Sequence, residues 1–223
     1  SYSVPTGNFG DILAGFYAKH MGLPIGKLVV ATNENDILHR FFTNGEYHRE
    51  SIQKTISPSM DICVSSNFER YLFFLAGNDS SKLAEWMSTF EETKKLTIDG
   101  DLLKKAQSDF SSARADTAMT LDVIKKYNEE HNYVMCPHTA VGVSAIHQTG
   151  DVEPVMVCLA TAHDGKFPAA VQQAIDPLPP APEQLANLLD LPYRVSECPN
   201  DLKKVQDFME HKIEERIAAE ASS

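Results

Sequence analysis

The chain has 223 residues, of which 43% are hydrophobic and 23% are charged, and this composition is typical of a folded globular protein and excludes a disordered chain. This length allows one large domain, or one domain with a smaller addition. The formal net charge of -11, from 31 acidic and 20 basic residues, argues against a surface that binds nucleic acid.

The chain opens with a glycine-rich segment, residues 3–10 (SVPTGNFG), that leads directly into a helical pattern over residues 11–20. Glycines allow a tight turn, and the N–H groups that open a helix attract an anion because they lie at the positive end of the helix dipole. The spacing matches neither the Walker motif nor GxGxxG, which favours a single phosphate group over a nucleotide. The segment therefore predicts a phosphate cradle.

The next elements predict a parallel α/β unit. The apolar run at residues 27–31 (KLVVA) is typical of a strand that is buried on both faces. The polar residues 32–36 that follow it either line a site or cap the next helix, and we favour capping. Residues 62–64 predict a short strand, and residues 68–75 a helix with an apolar stripe in the core.

Residues 80–131 are predominantly helical in pattern and rich in charge, so we expect an insertion that packs outside the sheet. Two further strands are predicted at residues 133–136 and 154–159, each followed by polar residues.

The predicted domain division falls after residue 175, with a proline-rich linker and terminal helices over residues 176–223. A short helix is expected before the linker, at residues 167–175. Helices at residues 184–189 and 201–219 are expected to form a helical cover.

The cysteines Cys63, Cys136, Cys158 and Cys198 are scattered without a CxxC pair, so neither a zinc site nor a disulfide scaffold is predicted. Reduced thiols indicate a cytoplasmic protein, or a plastid protein if a leader precedes this sequence. No stretch approaches ~20 apolar residues and no secretory leader opens the chain, so no membrane segment is expected.

Several motifs, in the same order as in that family, resemble threonine synthases. They are residues 3–15, 22–25 (GLPI), 32–36 (TNEND), 57–62 (SPSMDI), 65–70 (SSNFER), 137–142 (PHTAVG) and 161–163 (TAH). The resemblance implies a pyridoxal-phosphate (PLP) enzyme of fold type II, similar to the β subunit of tryptophan synthase. In that fold a three-layer arrangement of helices flanks a parallel sheet, of which this chain is expected to contain a part.

The family converts O-phosphohomoserine and water to threonine and phosphate, so the resemblance implies a lyase of threonine biosynthesis with a small-molecule substrate. It also implies cofactor-binding roles for individual residues of the chain. The phosphate donors would be Thr6, Gly7, Asn8, Phe9 and Gly10. Thr161 corresponds to the neutral partner of the cofactor's ring nitrogen, which the family leaves largely unprotonated.

The resemblance implies no catalytic lysine here, because the family's Schiff-base lysine lies upstream of the matched motifs. Lys166 corresponds to a different lysine of the family. We therefore expect a carboxyl-terminal portion that is inactive by itself. The chain departs from the family at Asp164 and Gly165, where Pro-Ala is usual, and at Cys136, where an acidic residue is frequent.

Two histidines, His138 and His163, lie in the matched motifs, and we expect both to be hydrogen-bonded within polar loops. Two alternative functions stay open: a related phospho-lyase that releases a keto acid, and a non-catalytic binding domain. The sequence does not indicate an oligomeric state.

Overall fold

The computed structural model describes residues 1–150 and 155–221, which divide into two units, Ser1–Pro182 and Glu183–Ser223. The strands are β1 (Tyr2–Pro5), β2 (Leu28–Thr32), β3 (Glu46–His48), β4 (Lys95–Thr97), β5 (Phe110–Arg114) and β6 (Val157–Cys158). The helices are α1 (Gly10–His20), α2 (Ile37–Asn44), α3 (Phe68–Leu75), α4 (Ser80–Thr93), α5 (Gly100–Asp109), α6 (Thr117–His131), α7 (Pro137–Thr149), α8 (Pro168–Val171), α9 (Glu183–Ala186) and α10 (Leu202–Ala221). Short 3₁₀ turns occupy Pro58–Met60, Asp164–Lys166 and Leu188–Asp190.

Strand β2 lies at the centre of the first unit, and all five of its residues are buried. Leu28 and Val30 belong to one apolar cluster, whereas Val29 and Ala31 belong to a second cluster that includes Val141 of α7. Successive side chains of a strand point to opposite faces, so this division shows that both faces of the sheet are covered. The result is a layer of helices on each side of the sheet.

The sheet is parallel throughout, with strand order β5-β2-β1-β6. This arrangement confirms the predicted α/β class and the buried strand at residues 27–31. Strand β1 lies between β2 and β6, with Tyr2 opposite Leu28 on one side and Val157 on the other. The loops that follow β1, β2 and β6 therefore leave the sheet at the same edge, the carboxyl edge, where parallel α/β proteins bind their ligands.

An aromatic cluster fills the face of the sheet that α1, α2 and α3 cover. Its buried rings come from these helices, from the loop before α1 and from β3 and β5. They are Phe9, Phe16, Phe41, Phe42, Tyr47, Phe68, Tyr71 and Phe110. Ring centroids are 4.7 Å apart for Phe41 and Phe68 and 5.0 Å apart for Tyr71 and Phe110, both in edge-to-face geometry. Such pairs add about 0.5–1.5 kcal/mol each beyond the burial of apolar surface.

Residues 80–131 are not an insertion outside the sheet, because β5 within this segment forms an edge strand of the parallel sheet. Phe110, which we expected on a helix, begins that strand and is buried in the aromatic cluster. Between α4 and α5, β4 pairs antiparallel with β3, a second small sheet that the sequence did not predict. Burial on the sheet decided the state of residues 110–114, although their local pattern is polar.

Two predicted strands, at residues 62–64 and 133–136, are wrong, because both segments are irregular. Cys136 instead precedes α7 as its N-cap residue. The predicted strand at residues 154–159 is shorter, with β6 at Val157–Cys158, and Pro154 lies outside the described residues. Short apolar runs do not distinguish a strand from a packed irregular segment, because burial alone satisfies both.

Helix α7 packs closely on the sheet at Gly142. A Cβ atom at this position would lie 2.8 Å from Cys158 Sγ and 3.0 Å from Pro5 Cγ, so only glycine allows the approach. The Ser3 hydroxyl donates a 2.7 Å hydrogen bond to the Gly142 carbonyl oxygen. These contacts hold α7 against β1 and β6.

The second unit contains α9 and α10, which overlap the helices predicted at residues 184–189 and 201–219. Helix α10 carries an exposed apolar stripe at Leu202, Val205, Met209, Ile213 and Ile217. Among the described residues, no helix is long and apolar enough to span a membrane.

Gly45 should be indispensable to the first unit. Its φ of 82° is favoured only by glycine, and an added Cβ would collide with the Ile98 carbonyl oxygen. Gly45→Ala is expected to lower the free energy of unfolding by about 2–4 kcal/mol, since backbone strain and a collision act together. Urea unfolding followed by the fluorescence of the single tryptophan, Trp86, measures this loss.

Gly77→Ala is the matched control, because Gly77 has a similar φ of 76° with no atom within 4 Å of the added Cβ. It should cost only the conformational strain, about 1 kcal/mol. Equal losses in the two variants would contradict the assigned collision at Gly45.

Candidate functional site

The loop between β1 and α1 presents a row of free backbone donors at the carboxyl edge of the sheet. Among the described residues, the N–H groups of residues 7–12 have no recorded hydrogen-bond acceptor. The first intrahelical bond of α1 runs from Leu13 N–H to the Phe9 carbonyl oxygen. Unpaired N–H groups at a helix start form an anion-binding site, because their partial charges add to the positive end of the helix dipole.

The carbonyl groups of the same loop are held on the other side by the segment that precedes α3. The Ser65 hydroxyl donates to the Gly7 carbonyl oxygen at 2.6 Å. Asn67 donates to the Asn8 carbonyl oxygen through its backbone N–H at 3.1 Å and through Nδ2 at 3.0 Å. Since the carbonyl groups are bound in this way, the N–H groups of the loop are left for a ligand.

Phe9 gives the loop its shape. Its φ of 64° is left-handed, a conformation that is uncommon for a bulky side chain, and it is the N-cap residue of α1. Its ring lies 5.1 Å from the Phe68 ring and 5.4 Å from the Phe110 ring, measured between centroids. Burial of a phenylalanine side chain contributes about 2 kcal/mol, which offsets the roughly 1–2 kcal/mol of the left-handed backbone.

Thr6 and Asn8 differ in the donors that they offer. The Thr6 hydroxyl donates to the Val4 carbonyl oxygen at 2.6 Å, and the Thr6 N–H donates to the Ala31 carbonyl oxygen at 2.8 Å. Both donors of Thr6 are therefore used to join the loop to the sheet. Asn8 is exposed, its Oδ1 accepts from the Ser66 hydroxyl at 3.2 Å, and no acceptor for its Nδ2 is recorded within the described part of the chain.

Gly7 lies against the 3₁₀ turn Pro58–Met60. A Cβ at Gly7 would be 2.9 Å from Ile62 Cδ1 and 3.1 Å from the Ser59 carbonyl oxygen, so the turn packs directly on the loop. Gly10 is less crowded, because a Cβ there would meet only the end of the Asn67 side chain, at 3.3 Å.

A buried polar network holds that turn at the end of β2. Asn33 Nδ2 donates to Ser57 Oγ at 3.0 Å and to Asp61 Oδ1 at 2.9 Å, and Asn33 is 1% exposed. Sequence reasoning favoured capping for these residues, but Asp36, at the N-cap of α2, makes no capping bond and pairs with Arg40 at 2.8 Å. The signal that was missed is the pairing of an amide after a strand with serine and aspartate near a later turn.

Thr161 lies on the neighbouring strand connection. The ladder of β1 and β6 pairs Tyr2 with Val157 and Ser3 with Cys158, so continuing this register brings Thr161 alongside Thr6. Adjacent strands are about 4.8 Å apart, which places Thr161 and the donor loop at one edge of the sheet. Thr161 is exposed, and its N–H donates to Thr139 Oγ1 at 3.2 Å.

Cys136 is buried beneath Thr161 at the start of α7. Its Sγ accepts from the Thr139 N–H at 3.4 Å, and it lies 3.2 Å from Thr139 Oγ1 and 3.8 Å from Thr161 Oγ1. Burial acts to raise the pKa of the Cys136 thiol. Hydrogen bonding by the His138 side chain, by Thr139 and by Thr161 outweighs burial and lowers this pKa to about 6.

Cys158, in contrast, stays a thiol. Burial first, and then the nearby Cys136, raise the pKa of its thiol to about 11. Its Sγ donates to the Thr139 carbonyl oxygen at 3.7 Å. At neutral pH the two neighbouring cysteines therefore carry different charges.

The two histidines have different environments. His163 is exposed, and its Nδ1 accepts from the Gly165 N–H at 3.0 Å, which matches the expected loop hydrogen bond. His138 is buried, and its Nε2 accepts from the Ser59 N–H at 3.2 Å. This bond places the ring proton on Nδ1, which is buried without a hydrogen-bond partner of adequate geometry among the described residues.

Lys166 lies in the 3₁₀ turn Asp164–Lys166, and its side chain is exposed. The turn also contains Gly165, one of the two residues at which the chain departs from the family motif. The turn begins beyond Thr161, so Lys166 and Thr161 are on the same connection that follows β6.

Comparisons with known proteins agree with this arrangement. Residues 139–209 match the family model described as "Threonine synthase, C-terminal". The threonine synthase of Pseudomonas aeruginosa is 43% identical over 211 residues, which cover 94% of this chain and 45% of that protein.

Solved structures extend the match to three dimensions. A PLP-bound threonine synthase from Brucella melitensis has a TM-score of 0.87 and 40% identity over 94% of this chain and 45% of that one. The yeast threonine synthase has a TM-score of 0.84 and 36% identity over 96% of this chain and 47% of that one. The chain thus spans about half the length of the relatives that it matches. It belongs to the threonine synthase family and corresponds to the carboxyl-terminal portion of that family.

Proposed function

We propose that this chain supplies the cofactor-phosphate cradle and the ring-nitrogen partner of a PLP-dependent threonine synthase. The reaction is the conversion of O-phosphohomoserine and water to L-threonine and phosphate. The single observation that carries the proposal is the row of unpaired N–H groups over residues 7–12, beside Thr161 at the same sheet edge. A bound cofactor in the Brucella melitensis relative, which matches 94% of this chain, supports it.

The donor loop fits a phosphate group. A phosphate dianion accepts several hydrogen bonds, and the backbone N–H groups of Gly7, Asn8, Phe9 and Gly10 are free to donate them. Thr6 holds the loop to the sheet, since both of its donors are already used. The net charge of -11 does not prevent this, because distant charges are screened while local dipoles are not.

The exposed hydroxyl of Thr161 fits a ring nitrogen. It is neutral, it stands at the edge where the donor loop ends, and the Thr139 side chain fixes its backbone. When bound, PLP would supply an electron sink for the bond changes at the substrate's carbon atoms. The chain's own residues bind and orient the cofactor, and we propose that the Schiff-base lysine lies in a part of the protein outside this chain.

The proposal assigns residues 1–175 to the PLP-binding domain and residues 176–223 to a linker and terminal helices. The contacts of the first unit support this assignment, since the loop, Thr139 and Thr161 all belong to Ser1–Pro182. The compartment follows from the expected reduced thiols, and we propose the cytoplasm, or a plastid if the protein carries a leader.

Asn8→Asp should weaken cofactor binding. It keeps the Oδ1 acceptor for Ser66 but replaces the free Nδ2 donor with a negative charge beside the phosphate. We expect the PLP dissociation constant to rise about tenfold or more, because like charges repel at this range. Titration of the cofactor-free full-length protein with PLP, followed by absorption, measures the change.

Asn78→Asp is the matched control, since it adds the same charge at an exposed position after α3. Its dissociation constant for PLP should equal that of the unaltered protein. Unchanged binding by Asn8→Asp would count against the loop as the phosphate cradle.

The products formed by the full-length protein test the reaction itself. With O-phosphohomoserine and PLP we expect equal amounts of threonine and phosphate, since water is added as phosphate leaves. Amino-acid analysis and a phosphate assay measure both. Phosphate with a keto acid would favour the phospho-lyase, and PLP binding without turnover would favour a non-catalytic role.

A further inference from the structure

The start of α7 contains an acid-base group that the proposed cofactor site has not used so far. Cys136 is fully buried, with 0% exposure, and is the N-cap residue of α7, a position that oxygen-bearing side chains usually occupy. Its sulfur receives the Thr139 N–H at 3.4 Å. This contact places the sulfur at the positive end of a 13-residue helix, which favours an anion.

Two hydroxyl groups converge on the same sulfur. Thr139 Oγ1 is 3.2 Å from Cys136 Sγ and accepts the Thr161 N–H, so the Thr139 hydroxyl proton is available for the sulfur. Thr161 Oγ1 is 3.8 Å from Cys136 Sγ. The sulfur therefore touches the hydroxyl that is proposed to meet the ring nitrogen.

The His138 side chain supplies a second, independent feature. Its Nδ1–H is a buried donor that lacks a hydrogen-bond partner within the described residues, and His138 is 4% exposed. The same side chain helps to lower the pKa of Cys136, so this donor lies on the side of the sulfur. A buried donor that has no other acceptor stabilises an anion beside it.

We propose that Cys136 is a positioning residue that acts as a thiolate, draws the Thr161 hydroxyl proton toward its sulfur and so makes Thr161 a hydrogen-bond acceptor for a protonated ring nitrogen. The proposal rests on the proposed function, since the ring nitrogen is that of PLP. A thiolate has no proton to donate, so the Thr161 hydroxyl points its proton at the sulfur and its lone pairs outward. A neutral group in place of Cys136 would leave Thr161 free to donate to an unprotonated nitrogen.

The ionisable groups recorded against Cys136 come from two elements. They are His138, in the first turn of α7, and Cys158, on β6. Cys158 stays protonated because burial, and then Cys136, raise the pKa of its thiol to about 11. With a pKa of about 6, Cys136 is the group of this pair that is ionised at neutral pH.

The test compares Cys136→Ser and Cys136→Asp in the full-length protein with PLP labelled with ¹⁵N at the ring nitrogen. Serine keeps a small polar N-cap but stays neutral, whereas aspartate supplies a permanent anion. The ¹⁵N chemical shift reports protonation of the ring nitrogen directly. We expect the pKa of this nitrogen to fall by about one unit in Cys136→Ser and to be retained in Cys136→Asp.

Three measurements separate positioning from a merely structural role. Cys158→Ser, which alters the neighbouring neutral thiol, should leave the ¹⁵N shift unchanged. In a Thr161→Val background, Cys136→Ser should have no further effect on the ¹⁵N shift, because the hydroxyl that links sulfur and nitrogen is gone. In the protein without cofactor, ultraviolet titration of the thiolate should show a group with a pKa of about 6 that Cys136→Ser removes.

The outcomes distinguish this proposal from the one on which it rests. PLP binding with the same ¹⁵N titration in all variants would overturn the role of Cys136 alone. Failure of the unaltered protein to bind PLP would overturn the proposed function and this inference with it. A lowered ring-nitrogen pKa that is confined to Cys136→Ser would support both.

Discussion

The left-handed backbone of Phe9, held by burial of its ring, is the constraint on which the site depends. A phenylalanine does not adopt a φ of 64° without compensation, and here the ring is 1% exposed in an aromatic cluster that joins α1, α2, α3 and β5. The reversal at Phe9 is what ends the strand connection and begins α1. Because the ring is locked, the free N–H groups of the loop keep one direction, and a ligand would meet donors that are already ordered.

The second requirement is a common edge for separate segments. The donor loop follows β1, Thr161 follows β6 and Asn33 follows β2, and parallel pairing of these three strands brings all three connections to one side of the sheet. Supporting contacts come from farther along the chain: Ser65 and Asn67 hold the loop carbonyls. Each polar group that faces the protein is bonded to it, so the groups that remain free face the ligand.

The predictions from sequence were strongest where a local pattern and the final burial agree. The strand at residues 27–31 and helices such as α1 and α3 were predicted, since their apolar spacing matches the faces that they bury. The wrong strands at residues 62–64 and 133–136 are apolar runs that pack without a ladder partner. Strand β5 was missed for the opposite reason, because its polar serines pair with β2 in the sheet.

The sequence by itself determined the α/β class, the anion loop at residues 3–10 and, through its ordered motifs, the family. These follow from local chemistry, because glycine, a helix start and apolar periodicity act over a few residues. Only the tertiary structure decided that Thr6 spends its donors on the sheet, that Asn33 holds a distant turn and that Cys136 meets Thr161. Those contacts join residues that are about 25 or more positions apart, and parallel strand order and helix packing alone bring them within hydrogen-bonding distance.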